Sequence, residues 1–270
     1  MKHITSKFNT HIKSLKSLSA KSKLRKENKC FIIEGQKEII HAVRGGYKIK
    51  TLYTTKKYLN QLTIDFKIND IIPLIELITI DQKNFESLCY RSKTNNLIAI
   101  VESKSHNLNS IILKNKNPII LVIEAPEKPG NIGAIFRTAD AAKIDAVLIA
   151  NLKTDIYNPN IIRSSVGCIF NIKIGLGSSS EIISFLKSKK IKLFSSVLSE
   201  DSFSFLDISY KKSCAIAFGT ENVGLSDQWI INSSKKIKIP MLGFNDSLNV
   251  SVATGIIIYE ALRQRKLFKN

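Results

Sequence analysis

Three segments in the second half of the chain place glycine and polar residues directly after apolar runs. The first is EKPGNIGAIFRTADAA (Glu127–Ala142). Gly130 and Gly133 permit a tight turn and a close backbone approach. Asn131 stands near the start of a helical pattern, where its side chain could cap the helix. Arg137 sits among Ile135, Phe136 and Ala139, so its guanidinium must face a cleft, a partner or an ion-pair acid. The second segment is FGTENVGLSDQ (Phe218–Gln228), in which Gly219 and Gly224 bracket Glu221 and Asn222. It reads either as a turn with Ser226 capping a helix, or as a loop whose backbone amides and carbonyls line a cofactor. The third is IPMLGFNDSLNVSVATGIIIYEALRQR (Ile239–Arg265). Ser247, Asn249 and Ser251 stand at the mouth of a strongly apolar helix. Capping accounts for one of them, but not for the whole SLNVS run.

Each segment must be held by a strand before it and a helix after it. PIILVIEAP (Pro118–Pro126) is almost continuously apolar, as befits a strand buried on both faces of a parallel sheet. The pattern predicts a helix from Ile132 to about Lys143 and a strand at Ala146–Ala150. A helix near Arg163–Cys168 and a strand at Ile169–Ile174 follow, then a helix at Glu181–Lys189. Strands at Lys192–Val197, Cys214–Phe218 and Lys236–Ile239 precede a last helix from about Val250 to Leu267. This alternation predicts a three-layer α/β/α domain with a mostly parallel sheet. Ligands of open α/β sheets bind beyond the carboxyl ends of the strands, where all three segments fall.

The first part of the chain reads as a smaller α/β unit. Met1–Lys29 carries nine Lys or Arg and a single acid, Glu27, with a partial helical stripe at Ile12, Leu15, Leu18 and Leu24. This stretch is either a solvated helix face or an arm that contacts phosphates. A strand at Phe31–Gly35, a helix at Gln36–Arg44, a strand at Lys48–Thr54, a helix at Gln82–Cys89 and a strand at Leu97–Ser103 follow. A polar stretch, Ser103–Ser110, is the expected linker, giving domains at 1–105 and 110–270.

Composition narrows the class of function. The 270 residues include 41 Lys or Arg against 22 Asp or Glu, a net charge of +19. Such an excess favours a polyanionic partner, nucleic acid first. Seven Arg against 34 Lys, with abundant Ile and Asn, is also what a compositionally biased genome produces. Cys30, Cys89, Cys168 and Cys214 lack metal-ligand spacing, and His3, His11, His41 and His106 form no cluster, so no metal site is expected. The basic start lacks the apolar stretch of a secretory signal, and no apolar run reaches the ~18 residues of a membrane span. These features point to a cytoplasmic protein with free thiols and no membrane partner.

Asn131 to Arg137 with the following TADAA, then GTENVGLS, then IPMLGFNDSLNVSVATGIIIYEA, in this order, closely resemble the three motifs of the SpoU (TrmH-like) RNA ribose 2′-O-methyltransferases, within the SPOUT superfamily. The resemblance runs from Pro118 to the C-terminus. The N-terminal unit is more loosely similar to the substrate-binding domain, with a ribosomal-protein-like RNA-binding fold, that many members carry. Members use S-adenosyl-L-methionine, form a trefoil knot with their C-terminal segment, and are typically homodimers with the active site near the interface. The resemblance therefore implies a cofactor held by Gly219, Thr220, Glu221, Asn222 and Gly224, then Ile239 and Met241, then Ser247, Leu248 and Asn249.

Methylating a 2′-hydroxyl is an in-line displacement on a sulfonium methyl, and it needs alignment and activation of a poor nucleophile. The chain after Ser110 contains no His. Arg137 is the expected catalytic residue: a guanidinium can grip the target phosphate and stabilise the developing alkoxide. A normal Arg does not lose its proton, so a role as base, which the resemblance also implies, needs an unusual site and stays open. Glu221, Ser247 and Asn249 are expected to support it, and Asn131 to position Arg137 or RNA. Ribosomal RNA of the large subunit is the expected substrate, with tRNA, or non-catalytic RNA binding, as alternatives. Two features stand outside this scheme. Gly175–Gly177 lacks the third glycine and the acidic partner of a dinucleotide loop. Arg163-Ser164-Ser165 with Gly167 either contacts RNA or simply begins a helix.

Overall fold

Apolar runs bounded by polar turns become the strands of two separate sheets. The computed structural model describes residues 1–59, 75–90, 96–220 and 223–266. They fall into two units: Met1–Lys104 with Tyr157–Asn171, and Ser105–Ile156 with Ile172–Asn270.

The first unit contains β1 (Lys2–Ile4), α1 (Thr10–Ala20), α2 (Ser22–Glu27), β2 (Cys30–Glu34), α3 (Gln36–Arg44), β3 (Ile49–Thr54), β4 (Glu76–Ile80), α4 (Gln82–Glu86) and β5 (Leu97–Glu102). Its five-stranded sheet has the order β1-β4-β3-β5-β2. β5 is antiparallel to both neighbours, while β1, β3 and β4 run parallel to one another. The carboxyl ends of β1 to β4 therefore share one edge of the sheet. The expected stripe of α1 buries Ile12, Leu15 and Leu18. Arg25 is buried too, and its guanidinium donates to the Leu18 and Ser19 carbonyls at 2.6 and 2.9 Å. It satisfies the free carbonyls at the end of α1, so this member of the basic stretch is structural. Lys13, Lys16, Lys23 and Lys26 remain exposed.

The second unit contains β6 (Ile119–Glu124), α5 (Pro129–Ala141) and β7 (Ala146–Ala150). After α6 (Pro159–Ser164), which belongs to the first unit, come β8 (Ile174–Gly177), α7 (Ser179–Ser188), β9 (Lys192–Ser196), β10 (Phe203–Ser204), β11 (Cys214–Phe218), α8 (Asp227–Ile231), β12 (Lys235–Lys238) and α9 (Val250–Gln264). The sheet order is β10-β12-β9-β11-β6-β7-β8, and every pairing is parallel. All residues of β6, β7 and β11 are buried. One face, with Ile120, Val122, Leu148 and Ala215, packs on Ile182, Ile183 and Leu186 of α7 and Trp229 of α8. Helices α5 and α9 pack on one another. Each fully buried Ile or Leu contributes roughly 1.5–3 kcal/mol relative to exposure. From β6 the chain proceeds outward through β7 and β8, then crosses to the other side of β6. The loops leaving β6 and β11 diverge there, which opens a crevice.

Three expectations need correction. The helix expected near Arg163–Cys168 is α6, which ends at Ser164. The strand expected at Ile169–Ile174 is a 3-10 turn, Cys168–Asn171, and the strand proper is β8. Phe170 explains the missing strand: it stacks on Phe31, with ring centres 5.8 Å apart, and Tyr157 stacks on the same ring at 4.1 Å. These aromatic contacts hold Tyr157–Asn171 in the first unit. Gly175 lies within β8. A Cβ there would lie 2.6 Å from Ile111 and 2.7 Å from Leu108, so this glycine serves close packing within a strand rather than a phosphate loop. α4 ends at Glu86, short of the Cys89 expected. Strands β1, β4 and β10 lie outside the expected set, and the expected end of the last helix, Leu267, lies outside the described residues.

Candidate functional site

The site is built on the end of β6. Its last residue, Glu124, is only 6% exposed. One carboxylate oxygen accepts from the Ser226 N–H at 2.7 Å; the other accepts the hydroxyls of Ser226 at 2.7 Å and Ser179 at 2.9 Å. Ser179 in turn accepts the Trp229 indole N–H at 3.0 Å. Ser226 does occupy the N-cap position of α8, but it makes no side-chain cap. Its donors go to Glu124 instead. A buried carboxylate thus ties the loop after β11 to the end of β6, and every hydrogen-bonding group in the tie is satisfied.

That loop is also closed on itself. Thr220 and Gly224 exchange two backbone hydrogen bonds of 3.1 Å, and the Val223 N–H donates to the Thr220 hydroxyl at 3.1 Å. Gly224 has φ +74°, and a Cβ on Gly219 would lie 2.0 Å from the Gly224 carbonyl carbon. Both glycines are therefore required by geometry. Glu221 and Asn222 lie outside the described residues.

The third segment supplies the facing wall. Asn249 is the N-cap of α9, and its Oδ1 accepts from the Ser251 N–H at 3.0 Å. Its Nδ2 donates to Oδ1 of Asn131 at 3.2 Å, joining the first and third segments. Capping and site formation are thus done by one side chain. Lys128 holds the N-cap position of α5, and Asn131 lies in the first turn. The Ser247 hydroxyl donates to Asp246 at 3.0 Å.

Between these walls lies a cleft of about 660 Å³. Of the residues expected at a cofactor, Gly219, Thr220, Gly224, Ile239, Met241, Ser247, Leu248 and Asn249 all line it. Its volume is in the range of cofactor sites, which combine apolar walls with a few placed polar groups. Phe218, Leu225 and Val250 supply apolar wall; Thr220, Ser247 and Asn249 supply polar rim. The residues present therefore fit a nucleoside-like cofactor carrying an amino-acid tail. A second recess of about 320 Å³ shares the Gly219–Gly224 loop and is lined by Glu124, Pro126, Asn131, Ile132 and Ile135.

Arg137 is not part of either recess. It lies six residues after Asn131 on α5, about 9 Å along the axis and roughly 120° around it. It is exposed, and no described residue forms a hydrogen bond or ion pair with it. The ion-pair reading of Arg137 is thereby removed within the described residues. Glu124 is the site residue that sequence reasoning missed. Its signal was an acid ending an otherwise apolar strand, a position that needs buried partners. The thiols offer no alternative chemistry: burial pushes Cys214 up to about 11, and burial with the nearby Glu34 and Glu86 carboxylates pushes Cys89 up to about 12.

Comparison with known proteins places this geometry in context. Residues 118–259 match the model of the SpoU rRNA Methylase family, and residues 9–99 match the MRM3-like substrate binding domain. The chain is 25% identical over 259 residues to the 23S rRNA (guanosine(2553)-2′-O)-methyltransferase RlmP of Bacillus subtilis, covering 96% of this chain and 98% of that one. It is 31% identical over 165 residues to the tRNA (guanosine(18)-2′-O)-methyltransferase of Thermus thermophilus, covering 61% of this chain and 84% of that one. Among solved structures, the AdoMet-bound rRNA methyltransferase of Sinorhizobium meliloti superposes with a TM-score of 0.88 at 27% identity, covering 99% of each chain.

Proposed function

Because the chain belongs to the SpoU rRNA methylase family, we propose that it transfers a methyl group from S-adenosylmethionine to a ribose 2′-hydroxyl of large-subunit ribosomal RNA. The observation that carries this reading is the convergence of the second and third polar segments on one cleft where the strand order reverses, with the first segment tied to it by the Asn249–Asn131 hydrogen bond. Ribosomal RNA is preferred to tRNA because the rRNA relative is matched along nearly the whole chain, including the first unit, while the tRNA relative is matched over 61% of it. On this reading residues 1–105 dock the RNA and 110–270 carry the chemistry. The work takes place in the cytoplasm, and no helix among the described residues is long and apolar enough to cross a membrane.

The cofactor supplies an electrophilic methyl. The chain's task is to hold that methyl in line with the hydroxyl and to stabilise the alkoxide that develops. Gly219, Thr220, Glu221, Asn222, Gly224, Ile239, Met241, Ser247, Leu248 and Asn249 hold the cofactor. Asn131 and Asn249, hydrogen-bonded to each other, set the distance between the two walls. Arg137 grips the target phosphate and stabilises the alkoxide, with Glu221, Ser247 and Asn249 in support.

The protein works as a homodimer in which Arg137 of one copy completes the cleft of the other. Two observations support this. Arg137 stands outside the cleft of its own chain. Leu242, Phe244, Val252 and Tyr259 expose apolar surface, and Val252 and Tyr259 lie two turns apart on one side of α9. The family's trefoil knot belongs to the same reading. After the third segment, α9 carries the chain back to the residues preceding β11, where Arg265 donates to the Tyr210 carbonyl at 2.8 Å and the Lys212 carbonyl at 2.7 Å.

Transfer of labelled methyl from S-adenosylmethionine to unmodified total RNA, followed by size separation, tests the reading. Label in large ribosomal RNA is the expected result. Label in the tRNA fraction would overturn the substrate. Absence of label from both naked RNA and ribosomal particles would leave a non-catalytic RNA binder.

A further inference from the structure

Tyr90 stands just after α4 and is 69% exposed, an unusual place for a large aromatic. One face of the ring is covered: the guanidinium carbon of Arg163 lies 3.7 Å from the ring centre. Both partners are fixed. The Tyr90 N–H donates to the Glu34 carboxylate at 3.0 Å, and Arg163 donates to Asn160 from the last turn of α6. A ring that remains so exposed with one face capped presents its other face to solvent. Arg163 lies in the second half of the sequence, yet α6 packs on β2 and delivers it to the first unit.

The position of the pair in the sheet adds to this. Glu34 ends β2, so Tyr90 sits at the carboxyl edge of the first sheet, at its β2 end. At the β1 end of the same edge, Phe8 is also largely exposed, with the Lys7 ammonium 5.1 Å from its ring centre. Four strand spacings, about 19 Å, separate the two ends. Exposed lysines follow the intervening strands: Lys56 and Lys57 after β3, Lys83 after β4. Cations interleaved with open aromatic faces are what an unpaired nucleic acid strand requires. The lysines track the phosphates, and a ring of any type offers a base a stacking face.

We propose that Tyr90 and Arg163 form a nucleobase-stacking platform for an unpaired nucleotide of the RNA substrate, at one end of a basic track along the carboxyl edge of the first sheet. The inference rests on the reading that RNA is the substrate, and adds where and how the first unit holds it. The platform is composite: a fragment ending near residue 105 carries Tyr90 but lacks the guanidinium that orients it.

The test uses the full chain and a fluorescein-labelled single-stranded RNA of mixed sequence, about twelve nucleotides long, in anisotropy titrations over a range of KCl concentrations. Tyr90→Ala should weaken binding about tenfold without changing the salt slope, because it removes stacking and no charge. Tyr90→Phe and Tyr90→Trp should bind as the parent does. Arg163→Ala should weaken binding and lower the slope by about one. Equal affinity of Tyr90→Ala and the parent overturns the proposal, as does a loss in Tyr90→Phe as large as in Tyr90→Ala. S-adenosylmethionine binding, measured on each variant, should be unchanged and reports that the fold is intact. RNA binding that depends on the Tyr90 ring in a chain that transfers no methyl would remove the catalytic reading and keep this one. Methyl transfer with RNA affinity indifferent to Tyr90 would do the reverse.

Discussion

Two loops line the same cleft and are built on opposite principles. The loop after β11 is finished within one chain. Its ends exchange backbone hydrogen bonds, Gly219 leaves no room for a Cβ, Gly224 takes a positive φ, and Glu124 anchors it from below. The loop before α9 is open. Residues 242–249 are exposed throughout, and Leu242 and Phe244 are fully so. Its described side-chain tie to the first segment is the Asn249–Asn131 hydrogen bond. The difference teaches that half of the cleft is preorganised by the fold, while the other half stands exposed in the single chain.

The largest effect should come from Arg137, which the closed half cannot replace. Arg137→Ala should lower transfer by at least about a hundredfold, the scale for removing a transition-state donor, and leave cofactor binding intact. Asn249→Ala should be similarly impaired in transfer. If the open half is completed by a second copy, co-expressing the two variants should restore about a quarter of parental activity, since half of randomly formed dimers carry one intact site. No recovery would place Arg137 in the cleft of its own chain.

Gly219→Ala probes the closed half directly. The added methyl meets backbone rather than a yielding side chain. Overpacking of this kind costs roughly 1–3 kcal/mol, so cofactor affinity should fall by up to about a hundredfold in calorimetric titration. An affinity equal to the parent's would mean that the loop is as adaptable as its neighbour.

Glu124→Ala should act on both stability and binding. It leaves the Ser226 N–H and two hydroxyls without their acceptor, a cost of roughly 1–3 kcal/mol that urea unfolding should register. Glu124→Gln should recover part of the loss, because one oxygen still accepts the two hydroxyls while the amide faces the Ser226 N–H. Identical losses for both variants would reduce Glu124 to a packing residue.

The smallest effect on the single chain should come from the open half. Leu242→Ser with Phe244→Ser removes no buried contact, so unfolding of the dilute chain should change by no more than about 0.5 kcal/mol. The same pair should raise the dimer dissociation constant in sedimentation. Unchanged assembly would assign these side chains to the cofactor or RNA instead.

Reading the sequence worked where a physical period survives unaided. β6, β7 and β11 are buried on both faces, and an uninterrupted apolar run signals that directly. The starts of α5 and α9 carry proline, glycine and asparagine at positions that helix ends favour. It failed where distant residues decide. Cys168–Asn171 is as apolar as a strand, but Phe170 is drawn to Phe31. Gly175 and Gly177 look like breakers, yet they admit Leu108 against a strand. β10 pairs over two residues and leaves no pattern to detect.

The sequence by itself determined the parallel α/β core, the three loops at its carboxyl edge and the residue types that face the cleft. Local spacing and burial period encode all of these. Tertiary structure alone decided that Glu124 clamps the loop after β11 and that Asn249 reaches Asn131 across 118 residues. It also decided that Tyr157–Asn171 rejoins the first unit and that Arg137 stands apart from its own cleft. These are pairings between residues far apart in the chain. Which of many compatible partners meets which is settled only when the whole set of apolar faces is buried together and each buried polar group has found its acceptor.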